Sequence, residues 1–175
     1  MNTIEAIKTR KSIRKFTSDI ISKQDLSLIL EAGMAGPSCV NARDWTFIVV
    51  RDKDMLNKMA DANGKPADPL RHADVGILVC GDLERAFPHA KDYWVIDASI
   101  ATQNIILAAH DLGIGSVWLG TWPQMDRVKA QQELLELPET IIPHSILALG
   151  YPMDKQVDIP VKSKLESDKI HYEKW

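Results

Sequence analysis

A cluster of cations near the N-terminus is the first part of the chain that could do chemistry. Five of the eight residues from Lys8 to Lys15 are cationic, although the whole chain has a formal net charge of -3. Ser12 adds a hydroxyl, and Ile13 and Phe16 give this basic segment (residues 8–16) an apolar side that we expect to be fixed to the core. Such donors suit a phosphate group, because charge-assisted hydrogen bonds to phosphate are stronger than neutral ones. A solvated basic turn after a short helix is the alternative interpretation.

Other common catalytic patterns are missing from the sequence. It contains no GxxxxGK loop, no GxGxxG fingerprint, no HExxH and no nucleophile-elbow serine. The five histidines are scattered without carboxylate or cysteine at ligand spacing, so we predict no metal site and expect His110 to be a core or interface residue. A phosphate site without evident proton-transfer groups favours a bound redox cofactor, which supplies its own reactive atoms.

Composition and charge restrict the class of protein. The length of 175 residues predicts one domain, and no apolar run approaches the roughly 18 residues of a membrane span. The N-terminus does not resemble a signal peptide, and Cys39 and Cys80 form no CxxC pair, so we expect reduced thiols and a cytoplasmic location. The negative net charge argues against a general nucleic-acid binder.

Helical and strand patterns alternate along the chain. Asn2 and Ser22 are predicted to cap the first two helices. Further helices are predicted at residues 53–62, 93–112 and 123–135, strands at 45–50, 75–80, 116–119 and 141–149, and an exposed loop at 65–70. The helix over 93–112 is apolar on most sides, so it must be buried on most sides or shared with a second subunit. The alternation indicates a sheet between two layers of helices.

Four stretches of the sequence together resemble the FMN-dependent nitroreductase family. Residues 10–16 (RKSIRKF) resemble its RRSxRxF opening, and residues 37–45 (PSCVNARDW) resemble its PSxxNxQPW segment. Residues 112–120 (LGIGSVWLG) are similar to its GLGTxWxG strand, and the pieces GYP, KSK and IHYEKW after residue 149 are similar to its tail. One departure is clear, because Arg43 and Asp44 stand where the family has Gln-Pro.

The resemblance implies an architecture and an assembly. It implies an α+β fold of three layers, with a mostly antiparallel mixed sheet flanked by helices and an extended C-terminal arm. Residues 1–150 would form the FMN-binding domain, and residues 151–175 an arm that packs on the partner subunit. Family members are homodimers that bind FMN at the subunit interface, so the helix over 93–112 would bury its extra apolar face against its symmetry mate.

The resemblance also assigns residues to the cofactor. It places the FMN phosphate, ribityl chain and pyrimidine edge against Arg10, Lys11, Ser12 and Arg14. Two cations of the tail, Lys162 and Lys164, would close on the phosphate. A loop of the neighbouring subunit would reach the flavin with Pro37, Ser38, Cys39 and Asn41. The strand residues Trp118, Leu119 and Gly120 would lie beside the flavin ring, with the Leu119 backbone N–H directed at N5.

The implied activity is an NAD(P)H-dependent oxidoreductase with a ping-pong cycle. Hydride would pass from NADH or NADPH through flavin N5 to a flat acceptor such as a nitroaromatic or a quinone. Trp118 and Trp122 are candidates for lining the acceptor slot, although we expect Trp118 to be mainly a core residue. Two alternatives stay open: other flavin chemistry, such as reductive dehalogenation or flavin breakdown, and a non-enzymatic module that binds phosphate or nucleic acid. The first alternative usually needs a lid, for which only the loops at 65–71 and 82–92 offer material.

Overall fold

The computed structural model describes residues 1–153 and 165–175. The helices are α1 (Thr3–Thr9), α2 (Lys23–Met34), α3 (Lys53–Asn63), α4 (Tyr93–Asp111) and α5 (Met125–Leu134). The strands are β1 (Trp45–Val50), β2 (Val75–Asp82), β3 (Gly115–Gly120) and β4 (Ile141–Gly150). Short 3-10 helices occupy Cys39–Asn41, Lys65–His72 and Ser167–Lys169. Among the described residues, no helix has both the length and the apolar character needed to cross a bilayer.

The predicted helix starts rest on side-chain caps. The Glu5 N–H donates to Asn2 Oδ1 at 2.9 Å, and the Asp25 N–H donates to Ser22 Oγ at 2.9 Å. These bonds satisfy N–H groups that have no partner within the first turn of a helix. α4 ends at Asp111, and Gly113 follows with φ of 75°. This is the left-handed conformation that glycine supplies after a helix.

The sheet has the order β1-β2-β4-β3, and each neighbouring pair is antiparallel. A parallel contribution comes from an isolated bridge between Ser12 and Ser116, which joins the basic segment to β3. β3 is therefore the edge strand on which the basic segment lies. The predicted α+β class with three layers is confirmed.

Two apolar clusters pack on opposite faces of the sheet. On one face, Leu78 and Leu119 meet Leu56 and Met59 of α3. On the other face, side chains of β2 and β4 meet α2 and α4, for example through Ile105. Because β-strand side chains alternate between faces, this arrangement requires a sheet buried on both sides, which explains the continuous apolar run in β2.

Two expectations about local structure were wrong. Residues 65–70 were expected to form an exposed loop because of two prolines, yet Lys65–His72 is a 3-10 helix that buries Ala67 and Leu70. The helix predicted from Pro123 begins instead at Met125, because Gln124 is extended and acts as its N-terminal cap residue. Proline marks a break in regular structure, but the sequence pattern alone does not show how the chain packs around it.

Two glycines let the basic segment approach the sheet. A Cβ on Gly115 would lie 2.8 Å from Ile13 side-chain atoms, and a Cβ on Gly150 would lie 2.9 Å from Phe16. Both apolar side chains of the segment are buried, as predicted, with 8% and 3% of their surface exposed. The two cations between them, Arg14 and Lys15, are consequently held close to the edge of the sheet.

We expect Gly115→Ala to destabilise the protein by about 1–3 kcal/mol, because the added methyl group overpacks the contact with the branched side chain of Ile13. Gly120→Ala on the same strand is the matched control, since a Cβ there meets no described atom within 4 Å. We expect that control to change the free energy of unfolding by no more than about 0.5 kcal/mol. Denaturant unfolding measures both, and equal values for the two variants would contradict this account of the packing.

Candidate functional site

Main-chain hydrogen bonds fix the second half of the basic segment. The Ile13 N–H donates to the Ser116 carbonyl of β3 at 2.8 Å. Further along, the Thr17 N–H donates to the Tyr151 carbonyl at 2.8 Å, and the Met153 N–H donates to the Lys15 carbonyl at 3.1 Å. The second half of the segment is therefore bonded to the edge of the sheet by isolated bridges and is not a solvated turn.

A cavity of about 460 Å³ lies beside this segment. Its lining includes Arg10 and Lys11, together with His110 of α4, Ser116 of β3 and Pro152. His110 is half-buried and lies 2.8 Å from the Thr9 hydroxyl. Burial, and then the nearby charge of Arg10, lower the pKa of His110. Arg10 and Lys11 bring positive charge to the cavity, and its volume lies in the range of small-molecule sites.

The open edge of β3 presents alternate backbone groups. The Ser116 carbonyl faces the basic segment, and N–H and C=O groups of successive strand residues point to opposite sides. Trp118 and Gly120 therefore face the open edge with Ser116, whereas Leu119 faces β4, where it is paired with Ile146. This geometry disagrees with the expected direction of the Leu119 N–H. The outward N–H groups of this strand belong to Trp118 and Gly120.

Trp118 is more exposed than we expected from the sequence. Its side chain is 37% exposed and contacts the His144 ring, with 5.6 Å between the ring centroids. It is not a core residue: Val117 and Leu119, on either side of it, pack in the cluster on the α3 face of the sheet, and Trp118 points to the opposite face. His144 is buried and lies 3.1 Å from both the Ser99 and the Ser145 hydroxyl oxygens. Burial lowers the pKa of His144 to about 4, so its ring is neutral at physiological pH.

Two side chains converge on the Gly120 carbonyl, and neither is expected from the sequence. Asn63 Nδ2 donates to this oxygen at 3.1 Å, and Arg127 Nη1 donates to it at 3.0 Å. The Thr121 hydroxyl donates to Asn63 Oδ1 at 2.8 Å. Asn63 is the last residue of α3 and is completely buried. A buried polar side chain needs partners, but nothing in the sequence identifies them.

The loop of Pro37, Ser38, Cys39 and Asn41 lies elsewhere in the chain. The Cys39 N–H donates to both carboxylate oxygens of Asp97 at 3.0 and 3.1 Å. Asp97 and His110 are 13 residues apart on α4, which corresponds to about 20 Å along the helix axis. Within one chain, the loop and the basic segment thus meet opposite ends of α4.

The roles of several other predicted site residues stay predictions. Ser12 and Arg14 are exposed on the basic segment, and Pro37 and Asn41 are exposed on the loop. Lys162 and Lys164 lie outside the described residues. Trp122 packs against Trp94 at 5.1 Å between ring centroids, and both rings line a separate cavity of about 1010 Å³ beside α5. Among the described residues, no group of three or more His, Cys, Asp or Glu side chains could hold a metal ion.

The unusual Asp44 is buried beside the loop. None of its side chain is exposed, and neither carboxylate oxygen has a hydrogen-bond partner among the described residues. Burial raises the pKa of Asp44 from 3.8 to about 6, with a further contribution from the Asp97 carboxylate. The folded chain therefore holds this proton more tightly than the unfolded chain does. The associated stability is present below about pH 4 and is lost as pH rises through about 6.

We expect Asp44→Asn to remove this loss of stability at rising pH, because the asparagine amide has no charge to bury. Relative to the unsubstituted protein, its free energy of unfolding should increase by about 2–3 kcal/mol between about pH 4 and about pH 8. Asp54→Asn, which changes an exposed carboxylate on α3, is the matched control. Denaturant unfolding at the two pH values tests the expectation, and parallel pH courses for the two variants would show that Asp44 ionises freely.

Comparisons with known proteins give a consistent result over the whole length. The family model described as "Nitroreductase family" matches residues 7–69 and 63–151. A protein of Archaeoglobus fulgidus, provisionally named NADH dehydrogenase/NAD(P)H nitroreductase, is 45% identical over 173 residues, covering 98% of each chain. A solved structure from Parabacteroides distasonis with the same provisional name has a TM-score of 0.91 at 36% identity, covering 100% of each chain.

A second solved structure, an FMN-dependent nitroreductase from Clostridium difficile R20291, is also similar. It has a TM-score of 0.88 at 31% identity, and the match covers 99% of this chain and 100% of the other. The edge-strand geometry, the fold and these matches agree with one another. The chain belongs to the nitroreductase family.

Proposed function

We propose that the protein is an NAD(P)H-dependent oxidoreductase that binds FMN and reduces a flat acceptor such as a nitroaromatic or a quinone. The observation that carries this proposal is the fixed pairing of the basic segment with the open edge of β3. Because of this pairing, the cations that would bind a phosphate lie beside the start of β3. The outward N–H groups of Trp118 and Gly120 follow along the same strand. Relatives named as NAD(P)H nitroreductase and FMN-dependent nitroreductase support it.

The donor set and the shape of this edge fit FMN. Arg10, Lys11, Ser12 and Arg14 offer guanidinium, ammonium and hydroxyl donors of the kind that bind a phosphate and a polyol. A side chain at Gly120 would meet no described atom within 4 Å, so a flat ring can approach the backbone there. We assign to the Gly120 N–H the role that the resemblance gave to Leu119, because its direction along β3 is outward.

FMN, when bound, supplies two-electron transfer between a reduced nicotinamide and an acceptor. The chain supplies position and electrostatics. The basic segment would hold the phosphate, the Gly120 N–H would offer a hydrogen bond to the edge of the ring, and Trp118 would present an exposed aromatic surface beside it. A preorganised backbone donor stabilises developing charge without rearrangement, so no acidic side chain is required at that point.

Other flavin chemistry would need a lid over the site, and only two segments of this chain are candidates for one. The segment Lys65–His72, one of two candidates, is packed with Ala67 and Leu70 fully buried. The segment between β2 and α4 is the other, and its Ala86 is buried as well. These observations favour an open site that serves both the nicotinamide and the acceptor.

We further propose that the site is completed by a second copy of the chain. The loop at Pro37–Asn41 is about 20 Å along α4 from the basic segment, so it suits the site of a neighbouring subunit better than its own. α4 also leaves Ile96 52% exposed, and Tyr172 and Trp175 of the C-terminal arm are 83% and 100% exposed. Large exposed apolar side chains of this kind favour contact with another subunit. In this proposal, residues 151–175 form the arm that packs on the partner.

The activity proposal predicts a yellow protein after loading with FMN. Under anaerobic conditions NADH or NADPH should bleach its flavin absorption, and a quinone or nitroaromatic should restore it. Arg10→Gln should weaken FMN binding by about tenfold or more, because one charge-assisted phosphate contact is lost. Arg85→Gln, an exposed arginine between β2 and α4, is the matched control. A colourless protein, or a flavin spectrum that neither nicotinamide changes, would refute the proposed activity.

The assembly proposal predicts the behaviour of two shortened chains. A chain ending at Met153 retains the main-chain bonds to the basic segment but lacks residues 154–175, which include both tail lysines and most of the arm. We expect it to be monomeric and to bind FMN about tenfold more weakly or worse. A chain ending at Lys164 separates the two losses, because it keeps the lysines and lacks only residues 165–175. Sedimentation and flavin fluorescence measure both properties, and a monomer with full FMN affinity would contradict the shared site.

A further inference from the structure

The carbonyl of Gly120 is held from two sides at the end of β3. Asn63 comes from the end of α3, and Arg127 comes from the first turn of α5. The Thr121 hydroxyl donates a hydrogen bond to the Asn63 amide oxygen. This bond fixes the orientation of the amide, so that its nitrogen donates to the Gly120 carbonyl. Glycine has the greatest backbone freedom of all residues, and two donors on its carbonyl remove that freedom.

The same two donors change the electrostatics of the open edge. In a strand, the carbonyl and the N–H of one residue point to the same side, so the Gly120 carbonyl would present its negative end beside the outward N–H. Asn63 and Arg127 cover that negative end. Of the two, only the guanidinium brings a full positive charge.

The position of Arg127 is not explained by the stability of its helix. A cation in the first turn of a helix opposes the helix dipole, whose positive end lies there. The ion pairs of the described residues do not include Arg127. Its charge therefore adds to the positive potential of the helix end at the Gly120 carbonyl.

We propose that Arg127 is a positioning and charge-tuning residue of the flavin site, an inference that rests on the proposed function. Hydride transfer to a flavin adds one proton and two electrons, and so adds one negative charge to the bound ring. A fixed cation at the edge of the ring stabilises that added charge more than it stabilises the oxidised ring. Arg127 consequently favours binding of reduced over oxidised FMN, while Asn63 fixes the peptide without contributing charge.

The test uses the full-length protein loaded with FMN. Arg127→Gln removes the charge and keeps a donor, Arg127→Lys keeps the charge, and Lys129→Gln on the same helix is the matched control. For each protein, oxidised FMN affinity is measured by flavin fluorescence, and the midpoint potential by anaerobic equilibration with a reference dye. A thermal melt of each protein reports on folding.

We expect Arg127→Gln to lower the affinity for reduced relative to oxidised FMN by about tenfold, which is about 30 mV for a two-electron couple. Arg127→Lys and Lys129→Gln should keep the potential of the unsubstituted protein. An unchanged potential in Arg127→Gln, or an equal loss of affinity for both oxidation states, would overturn the inference. If Arg127→Gln does not fold, Arg127→Lys decides, because a shift in its potential would show that charge is not the property that matters. Failure of the unsubstituted protein to bind FMN would instead refute the proposed function, and this inference with it.

Discussion

The main-chain pairing between the basic segment and β3 is the interaction on which the rest of the site depends. It holds a cluster of like charges against the edge of the sheet, with Ile13 and Phe16 buried. Like charges in a free chain would separate in solvent, so their concentration needs this support. The pairing also covers part of an edge strand that would otherwise offer free hydrogen-bonding groups to other chains.

The candidate site extends the length of this one strand, with cations at both ends. Arg10 and Lys11 lie at the cavity beside its start, and Arg127 contacts the carbonyl at its end. Two buried carboxylates, Asp97 and Asp44, lie apart from it in the region of the loop at Pro37–Asn41. Asp111 lies beside the cavity, but it is paired with the ammonium group of Met1. This separation explains how a chain with a net negative charge can offer a positive edge to an anionic ligand.

The features that could be predicted from the sequence are those encoded locally. The caps at Asn2 and Ser22, the long apolar helix α4 and the four strands all follow from side-chain type and spacing. What could not be predicted depends on contacts between distant residues. The exposure of Trp118 and the direction of the Leu119 N–H follow from strand order and register, and the role of Asn63 follows from its burial beside β3. The buried Lys65–His72 helix shows that two prolines interrupt regular structure without excluding the chain from the core.

The span of α4 has a genetic consequence. One end of this helix holds the loop at Cys39, and the other end meets the cavity of the basic segment. In the proposed assembly each helix thus connects two different sites, and every site draws its halves from two polypeptides. A copy damaged in its loop and a copy damaged at Arg10 would then restore one another in a mixed pair, which would contain one wholly intact centre. Two individually inactive alleles could complement each other.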